Sequence, residues 1–183
     1  MGLDISPAAN ALLGDLQTDM GQHVIWTRPQ NLHLTIRYLG QIGPRLLGGL
    51  DRVLSYVQMD TFSLKLRGVG SFQAMDQADT NVLWVGVEPS KDLQKLFLAV
   101  NQTLVRLGVP PSGRPFMPHI TLARIKNGAD PEQIRSFLER HRHFEGALYS
   151  IDQFNIYESR LGDHGLEYAP LKRYKLGLPT ETP

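Results

Sequence analysis

The chain has 183 residues and contains no cysteine. This absence excludes disulfides, thiolate zinc sites, iron–sulfur clusters and thiol nucleophiles. Any reaction that the side chains carry out must therefore use histidines, carboxylates or hydroxyls, or a bound cofactor. A strong charge of one sign is missing as well, because 19 Lys and Arg against 18 Asp and Glu leave a formal charge of +1. A general electrostatic attraction to nucleic acid or to a membrane is therefore not expected.

Long hydrophobic runs are also missing from the sequence. No apolar stretch approaches the roughly 18–20 residues that a membrane-spanning helix needs, and the N-terminus has no basic segment of the kind that opens a signal peptide. We therefore predict a cytoplasmic protein with no membrane attachment. The length fits one domain, or two small lobes that share a core.

The spacing of apolar residues predicts helices and strands in a mixed order. Apolar residues three and four positions apart predict helices over residues 7–20, 44–57, 91–107 and 131–140. Alternating or continuous apolar runs predict strands over residues 24–26, 32–39, 62–69, 82–87, 120–125, 147–157 and 168–176. Polar loops are predicted over residues 73–81 and around Gly162 and Gly165. Strands that follow one another without a helix favour an α+β fold over a doubly wound parallel sheet.

One short pattern occurs twice. It reads His33-Leu34-Thr35-Ile36 in the first half of the chain and His119-Ile120-Thr121-Leu122 in the second. Residues i and i+2 of a strand face the same side about 6.6–7 Å apart, so each copy presents an imidazole beside a hydroxyl while its apolar residues face a core. A single pattern of this kind is common and usually structural, whereas two copies in corresponding places point to a shared site.

Paired imidazoles suit general acid–base catalysis near neutral pH, because one can accept a proton while the other donates one. The two threonines add hydroxyl donors for the oxygens of an anion. Together the four side chains predict a site for a phosphate ester that needs no metal. Arg37 has the same strand parity as His33 and is predicted to face this site, whereas Arg124 has the opposite parity to His119 unless a bulge intervenes.

The residues around the two patterns resemble the motifs of the two-histidine phosphoesterase superfamily, and most closely those of its RNA 2′,3′-cyclic phosphodiesterase branch, also called 2′-5′ RNA ligases. The first motif is matched at Trp26, Pro29, Asn31, His33, Thr35, Ile36, Tyr38, Leu39 and Gly40, with conservative changes at Ile36 and Tyr38. The second is matched at Arg114, Phe116, Pro118, His119, Thr121 and Arg124. A third, late motif is matched at Ser159, Leu161, Gly165 and Tyr168.

The resemblance implies a fold and an activity. The fold is a single bilobal α+β domain over residues 1–183, with two pseudo-symmetric lobes of antiparallel-rich sheet and outer helices around a central groove. One motif lies in each lobe, near residues 33–40 and 119–124. The implied activity is metal-independent hydrolysis of RNA 2′,3′-cyclic phosphate ends to 2′-phosphomonoesters, with reversible 2′-5′ RNA ligation in some members. No cofactor is implied, and we expect a monomer.

The resemblance also implies roles for individual residues. His119 is expected to be the general base and His33 the general acid, and Thr35 and Thr121 are expected to bind the phosphate oxygens. We predict contacts with RNA, by charge or by stacking, for Arg37, Arg114, Phe116, Arg124 and Tyr157.

The sequence departs from the family pattern at its N-terminus. Only residues 2–5 correspond to a first strand of about eight residues in the family, so we expect the N-terminal strand to be truncated.

Three different functions are also compatible with the sequence. The chain could be a two-histidine phosphodiesterase with another substrate, either ADP-ribose cyclic phosphate or 2′-5′ oligoadenylate. The chain could also be a non-catalytic RNA-binding module that kept the fold. A metal-dependent hydrolase is the third, although no ligand cluster accompanies either histidine.

Overall fold

A computed structural model of the chain describes residues 1–73, 81–113, 115–162 and 165–177. The helices of this part are α1 (Pro7–Gly14), α2 (Pro44–Leu54), α3 (Lys91–Arg106) and α4 (Pro131–His141). The strands are β1 (Gly2–Asp4), β2 (Val24–Trp26), β3 (His33–Thr35), β4 (Phe62–Gln73), β5 (Asn81–Val87), β6 (His119–Ile125), β7 (Glu145–Ile151), β8 (Gln153–Gly162) and β9 (Gly165–Lys175). A single 3₁₀ turn at Pro29–Asn31 precedes β3. None of the described helices is long and apolar enough to cross a membrane.

The strands form one sheet in which every pairing is antiparallel. The order is β7-β4-β5-β6-β3-β1-β8-β9, and β2 pairs with β6 beside this path. The pair β3–β6 lies at the centre, so we call β4–β7 the His119 half of the sheet, and β1, β3, β8 and β9 the His33 half. The two halves repeat one arrangement, in which a helix lies in sequence between two strands that pair with each other. This helix is α1, between β1 and β3, in the His33 half, and α3, between β5 and β6, in the His119 half. The expected α+β fold with two related halves is confirmed.

The alternation within the two motifs sets which side chains enter the core. Leu34 and Ile36 are 0% and 3% exposed, and Ile120 and Leu122 are both 0% exposed. Burying four such side chains favours one register of the central strands, because a slip by one residue would bring the histidines into the core and the apolar residues out. The prediction that the apolar residues of both motifs face a core is confirmed.

Two predicted boundaries in the first half of the chain are wrong. The first helix ends at Gly14 rather than at residue 20, although Leu16 and Met20 beyond it are still buried. The strand predicted over 32–39 stops at Thr35, since the N–H groups of Ile36 and Arg37 both donate to the carbonyl of Met1 and the regular ladder ends there.

Two further predictions about the last third of the chain are wrong. The strand predicted over 147–157 is two strands, β7 and β8, which separate at Asp152 and pair in opposite halves of the sheet. The polar loop expected around Gly162 and Gly165 is shorter than predicted, because these two glycines pair with each other at the ends of β8 and β9. The other predicted loop lies mostly outside the described residues.

The glycine at position 70 makes room for a large ring. A Cβ at Gly70 would lie 2.1 Å from Cζ2 of Trp84, its cross-strand neighbour, whereas a Cβ at Gly48 in α2 would meet nothing within 4 Å. We expect Gly70→Ala to lower the free energy of unfolding by about 1–3 kcal/mol through overpacking. Gly48→Ala should raise it by roughly 0.5–1 kcal/mol, because alanine is the better helix former. Urea unfolding of both variants checks this, and equal effects at the two positions would contradict it.

Candidate active site

The centre of the sheet brings the two motifs together. Leu34 of β3 pairs with Ile120 of β6 in antiparallel register. This register places His33 beside Thr121 and Thr35 beside His119 on one face, because cross-strand partners share a face and side chains alternate along each strand. All four side chains are half-buried. The structure therefore gathers the four residues predicted for the phosphate ester into one site, with the histidines at diagonal corners.

Both imidazoles are held in the same way by the backbone. Nδ1 of His33 lies 2.7 Å from the carbonyl oxygen of Asn31, and Nδ1 of His119 lies 2.7 Å from the carbonyl oxygen of Met117. A carbonyl only accepts, so each Nδ1 carries the hydrogen and each Nε2 is left for proton transfer. Thr35 Oγ1 is 3.1 Å from Nε2 of His33, within hydrogen-bond distance of the reactive nitrogen.

Burial changes the proton affinity of both histidines. Loss of water contact lowers the pKa of His33 and of His119 below the usual range. The hydrogen bond that each ring donates to a carbonyl opposes this effect and raises the pKa. The His119 imidazole also lowers the pKa of His33, so the two rings are close enough for one charge to affect the other.

Aromatic rings flank each histidine. The His33 ring packs against Tyr168 and Tyr157, with centroids 4.5 Å and 5.3 Å away. The His119 ring meets the edge of Phe72 at 4.8 Å and an interplanar angle of 89°. Phe72 and Tyr168 were not found as site residues from the sequence, although Tyr168 belongs to the third matched motif. These rings restrict water around the imidazoles, in keeping with the lowered pKa values.

Asn31 links the turn before β3 to the last strand. Its side chain is buried, donates from Nδ2 to the carbonyl of Leu166 at 2.7 Å, and accepts at Oδ1 from the N–H of Tyr168 at 3.2 Å. Since its own carbonyl also accepts from His33, Asn31 fixes both the imidazole and the tyrosine packed on it. Asn31 was matched in the first motif but was assigned no role from the sequence. Its presence there as a polar residue was the signal that could have pointed to one.

The five predicted RNA contacts have different positions. Arg37 donates from Nη2 to the carbonyl of Pro110, and Phe116 stacks on Phe97 at 4.1 Å at the rim of the core. Tyr157 packs on His33 and donates its hydroxyl proton to the carboxylate of Asp4. Arg114 lies outside the described residues. Contact with RNA stays a prediction for all five.

Arg124 reaches the site face because of a bulge. The β5–β6 register shifts between Leu83, which pairs with Ala123, and Trp84, which pairs with Thr121. Leu122 and Ala123 are both buried, so the alternation changes phase after Thr121 and returns Arg124 to the face of His119. The parity argument left this position open, and the bulge settles it.

Metal ligands are not clustered in the part of the chain that the structure describes. No group of three or more histidine, aspartate or glutamate side chains there is arranged to hold a metal ion. The site therefore offers imidazoles, hydroxyls and an arginine on one face of a sheet, a set suited to an anionic ester and to proton transfer.

Comparison with known proteins identifies the family. The sequence model of the 2′-5′ RNA ligase superfamily matches residues 7–163. The chain belongs to this superfamily. The resemblance inferred from the motifs is therefore confirmed.

Known proteins of similar sequence align with most of this chain. The RNA 2′,3′-cyclic phosphodiesterase of Aeropyrum pernix is 27% identical over 147 residues, which cover 80% of this chain and 82% of that protein. The RNA 2′,3′-cyclic phosphodiesterase of Escherichia coli strain K12 is 29% identical over 147 residues, which cover 80% of this chain and 76% of that protein.

Solved structures support the superfamily fold. Escherichia coli LigT in its apo form has a TM-score of 0.76 and 25% identity, covering 97% of this chain and 95% of that chain. A crystal structure of a phosphoesterase has a TM-score of 0.77 at 22% identity, covering 97% and 96%. The second likeness concerns the fold alone.

Proposed function

We propose that this protein hydrolyses the 2′,3′-cyclic phosphate ends of RNA to 2′-phosphomonoesters by metal-independent general acid–base catalysis. The observation that carries the proposal is the pairing of β3 with β6, which sets two His-x-Thr pairs diagonally on one face with both Nε2 atoms left for proton transfer. Membership of the superfamily and the names of its relatives support the substrate class. The diagonal arrangement suits a phosphate between the histidines, because in-line displacement needs a base and an acid on opposite sides.

The reaction assigns one proton transfer to each histidine. His119 Nε2 accepts a proton from water while the water oxygen forms a bond to phosphorus. The bond from phosphorus to O3′ breaks, and His33 Nε2 donates its proton to O3′, which leaves a 2′-phosphate and a 3′-hydroxyl. Thr35 and Thr121 donate hydrogen bonds to the non-bridging oxygens, where negative charge is concentrated in the transition state. A 5′-hydroxyl of a second RNA in place of water would give a 2′-5′ linkage by the same steps.

Product analysis tests the proposal. The protein is incubated with 2′,3′-cyclic nucleotides, with RNA ending in a cyclic phosphate and with ADP-ribose 1″,2″-cyclic phosphate, each with and without EDTA. We expect 2′-phosphate products from the RNA-type substrates, at rates that EDTA leaves unchanged. A 3′-phosphate product would show that O2′, rather than O3′, is the leaving oxygen. Loss of activity in EDTA would contradict metal independence. Failure to turn over any of the substrates would reject catalysis in favour of a binding module.

The pH–rate profile should be bell-shaped, with its maximum at mildly acidic pH. His119 must be neutral to accept a proton, and its lowered pKa extends the neutral form to lower pH. His33 must be protonated to donate, and its lowered pKa moves the loss of activity to lower pH as well. Since kcat/KM reports the free enzyme, we expect its maximum below pH of about 6.5, the value for two unperturbed imidazoles. A maximum above this value would contradict the expectation.

The proposal also includes the setting of the protein. We expect a monomer that works in the cytoplasm on RNA or nucleotides that carry a 2′,3′-cyclic phosphate. Sedimentation of the purified protein checks the first part.

A further inference from the structure

We propose that Asp4, held in place by Tyr157, is a positioning residue that makes His33 the proton donor of the pair, and this inference rests on the cyclic phosphodiesterase function proposed above. Four observations carry it. They concern the ring packed on each histidine, the cross-strand partner of each histidine, the groups that hold Asp4 in place, and the charges that face His33.

The two halves of the sheet place equivalent rings on the two histidines. Tyr157 comes from β8, two strands from His33, and its ring lies 5.3 Å from the imidazole. Phe72 comes from β4, two strands from His119, and its ring lies 4.8 Å from that imidazole. The two histidines are therefore alike in this ring; they differ in Tyr168, which packs on His33 at 4.5 Å, and in the charge carried by a neighbouring strand.

The strand between ring and histidine supplies that difference. In β1 the cross-strand partner of His33 is Asp4, whereas in β5 the cross-strand partner of His119 is Gly86. A Cβ at Gly86 would lie 2.8 Å from the carbonyl oxygen of Arg67 and 3.2 Å from Cζ3 of Trp84. No carboxylate side chain fits there without displacing these groups. Of the two cross-strand positions, only the one beside His33 carries a charge.

Three side chains of β8 hold the Asp4 carboxylate in place. Tyr157 donates its hydroxyl proton to Oδ1 at 2.5 Å. Asn155, which is fully buried, donates to Oδ2 at 2.8 Å, and Gln153 donates to the same oxygen at 3.2 Å. Burial raises the pKa of the Tyr157 hydroxyl, so it stays a donor throughout the neutral range. The ring that packs on His33 is thereby tied to the carboxylate beside His33.

The charges that face His33 oppose one another. Burial is the main cause that lowers the pKa of His33, and the α-amino group of Met1 and the His119 imidazole lower it further. Asp4 raises it, as does the hydrogen bond to the Asn31 carbonyl. Side chains that carry hydroxyls also surround His33: Thr35 Oγ1 is within hydrogen-bond distance, Thr121 is the neighbour across the β3–β6 pair, and Tyr157 and Tyr168 pack their rings on the imidazole. Within the described residues that shift the pKa of His33, Asp4 alone is negative, and a general acid is the partner that needs a group favouring its protonated form.

Histidine titration by NMR tests the inference in the folded protein. In Asp4→Asn we expect the pKa of His33 to fall by about one unit while that of His119 stays unchanged. With a 2′,3′-cyclic nucleotide as substrate, the basic limb of the kcat/KM profile should move to lower pH by the same amount, and the acidic limb should stay at the same pH. Tyr157→Phe keeps the ring and removes the hydroxyl, so it should also lower the pKa of His33, but by a smaller amount. Asp4→Glu should restore part of the shift.

A second aspartate–tyrosine pair of the same half provides the matched control. Tyr174 of β9 donates to Asp51 of α2 at 3.0 Å, and Asp51 also pairs with Lys172 rather than with a histidine. Asp51→Asn and Tyr174→Phe should therefore change neither histidine pKa nor the pH profile.

The outcomes separate this inference from the proposed function. A wild-type protein that hydrolyses no cyclic phosphate contradicts the function and the inference together. A wild-type protein that is active, with variants of Asp4 and Tyr157 that move neither the His33 titration nor the basic limb, contradicts the inference alone. Equal shifts at both histidines, or the same shift from Asp51→Asn, would reduce Asp4 to a general structural role and overturn the inference as well.

Discussion

Replacing either histidine by alanine should lower kcat/KM on a 2′,3′-cyclic nucleotide by roughly 10²- to 10⁴-fold, the range for loss of a general acid or base. The loss should occur without a comparable loss of stability, because both imidazoles are half-buried on the site face rather than in the core. His143→Ala, at an exposed histidine after α4, should leave the rate unchanged. Steady-state kinetics with unfolding curves for the three variants measure this, and near wild-type activity in His119→Ala would reject the site.

The same two variants can separate the acid from the base. A nucleoside 2′-(4-nitrophenyl) phosphate releases nitrophenolate, which needs no proton from the enzyme. On this substrate His33→Ala should recover most of its activity, because the missing acid is no longer required. His119→Ala should stay impaired, because water must still lose a proton. The reverse pattern would exchange the two roles and would also contradict the role inferred for Asp4.

Removing the threonine hydroxyls should give the next largest effect. Thr35→Val and Thr121→Val keep the shape of the side chain and delete one donor to the phosphate oxygens, so each should lower kcat by about 10²- to 10³-fold. The loss should fall on kcat more than on KM, because the oxygens gain charge in the transition state.

Two features sharpen the threonine test. Thr61, an exposed residue just before β4, serves as the control, and Thr61→Val should leave kcat unchanged. Thr35 is also within hydrogen-bond distance of His33 Nε2, so Thr35→Val should shift the basic limb of the pH profile, whereas Thr121→Val should not. Threonine variants that changed only KM would show that the hydroxyls bind the ground state and the transition state equally.

The sequence predicted the parts of the site that depend on local spacing. A period of two along β3 and β6 was enough to put His33 with Thr35 and His119 with Thr121, because strand alternation is a local rule. The helices and most strands were predicted for the same reason. Boundaries failed where a hydrogen bond from a distant segment decided them, as at Thr35, where the carbonyl of Met1 ends the ladder.

The groups that make the two histidines unequal were not predictable from spacing. Asp4 meets Tyr157 across more than 150 positions of sequence, and Asn31 meets Tyr168 across 137. Such neighbours are set by the order of strands in the sheet, which a single sequence does not encode in any local pattern. The phase change at Leu122 is of the same kind, since two adjacent buried residues read equally well as a bulge or as the start of a turn.

The separation of β7 from β8 at Asp152 has a consequence for how the molecule is made. The His119 half is one continuous stretch, residues 62–151, whereas the His33 half joins β1 and β3 to β8 and β9, which follow that stretch in the sequence. During translation the His119 half can therefore fold while the chain still emerges from the ribosome. β1 must wait for β8, its partner near the other end of the chain. We expect β3 and β6 to pair once both have been made, so that a chain still lacking β8 and β9 holds both histidines without Tyr157 and Tyr168, the rings that pack on His33.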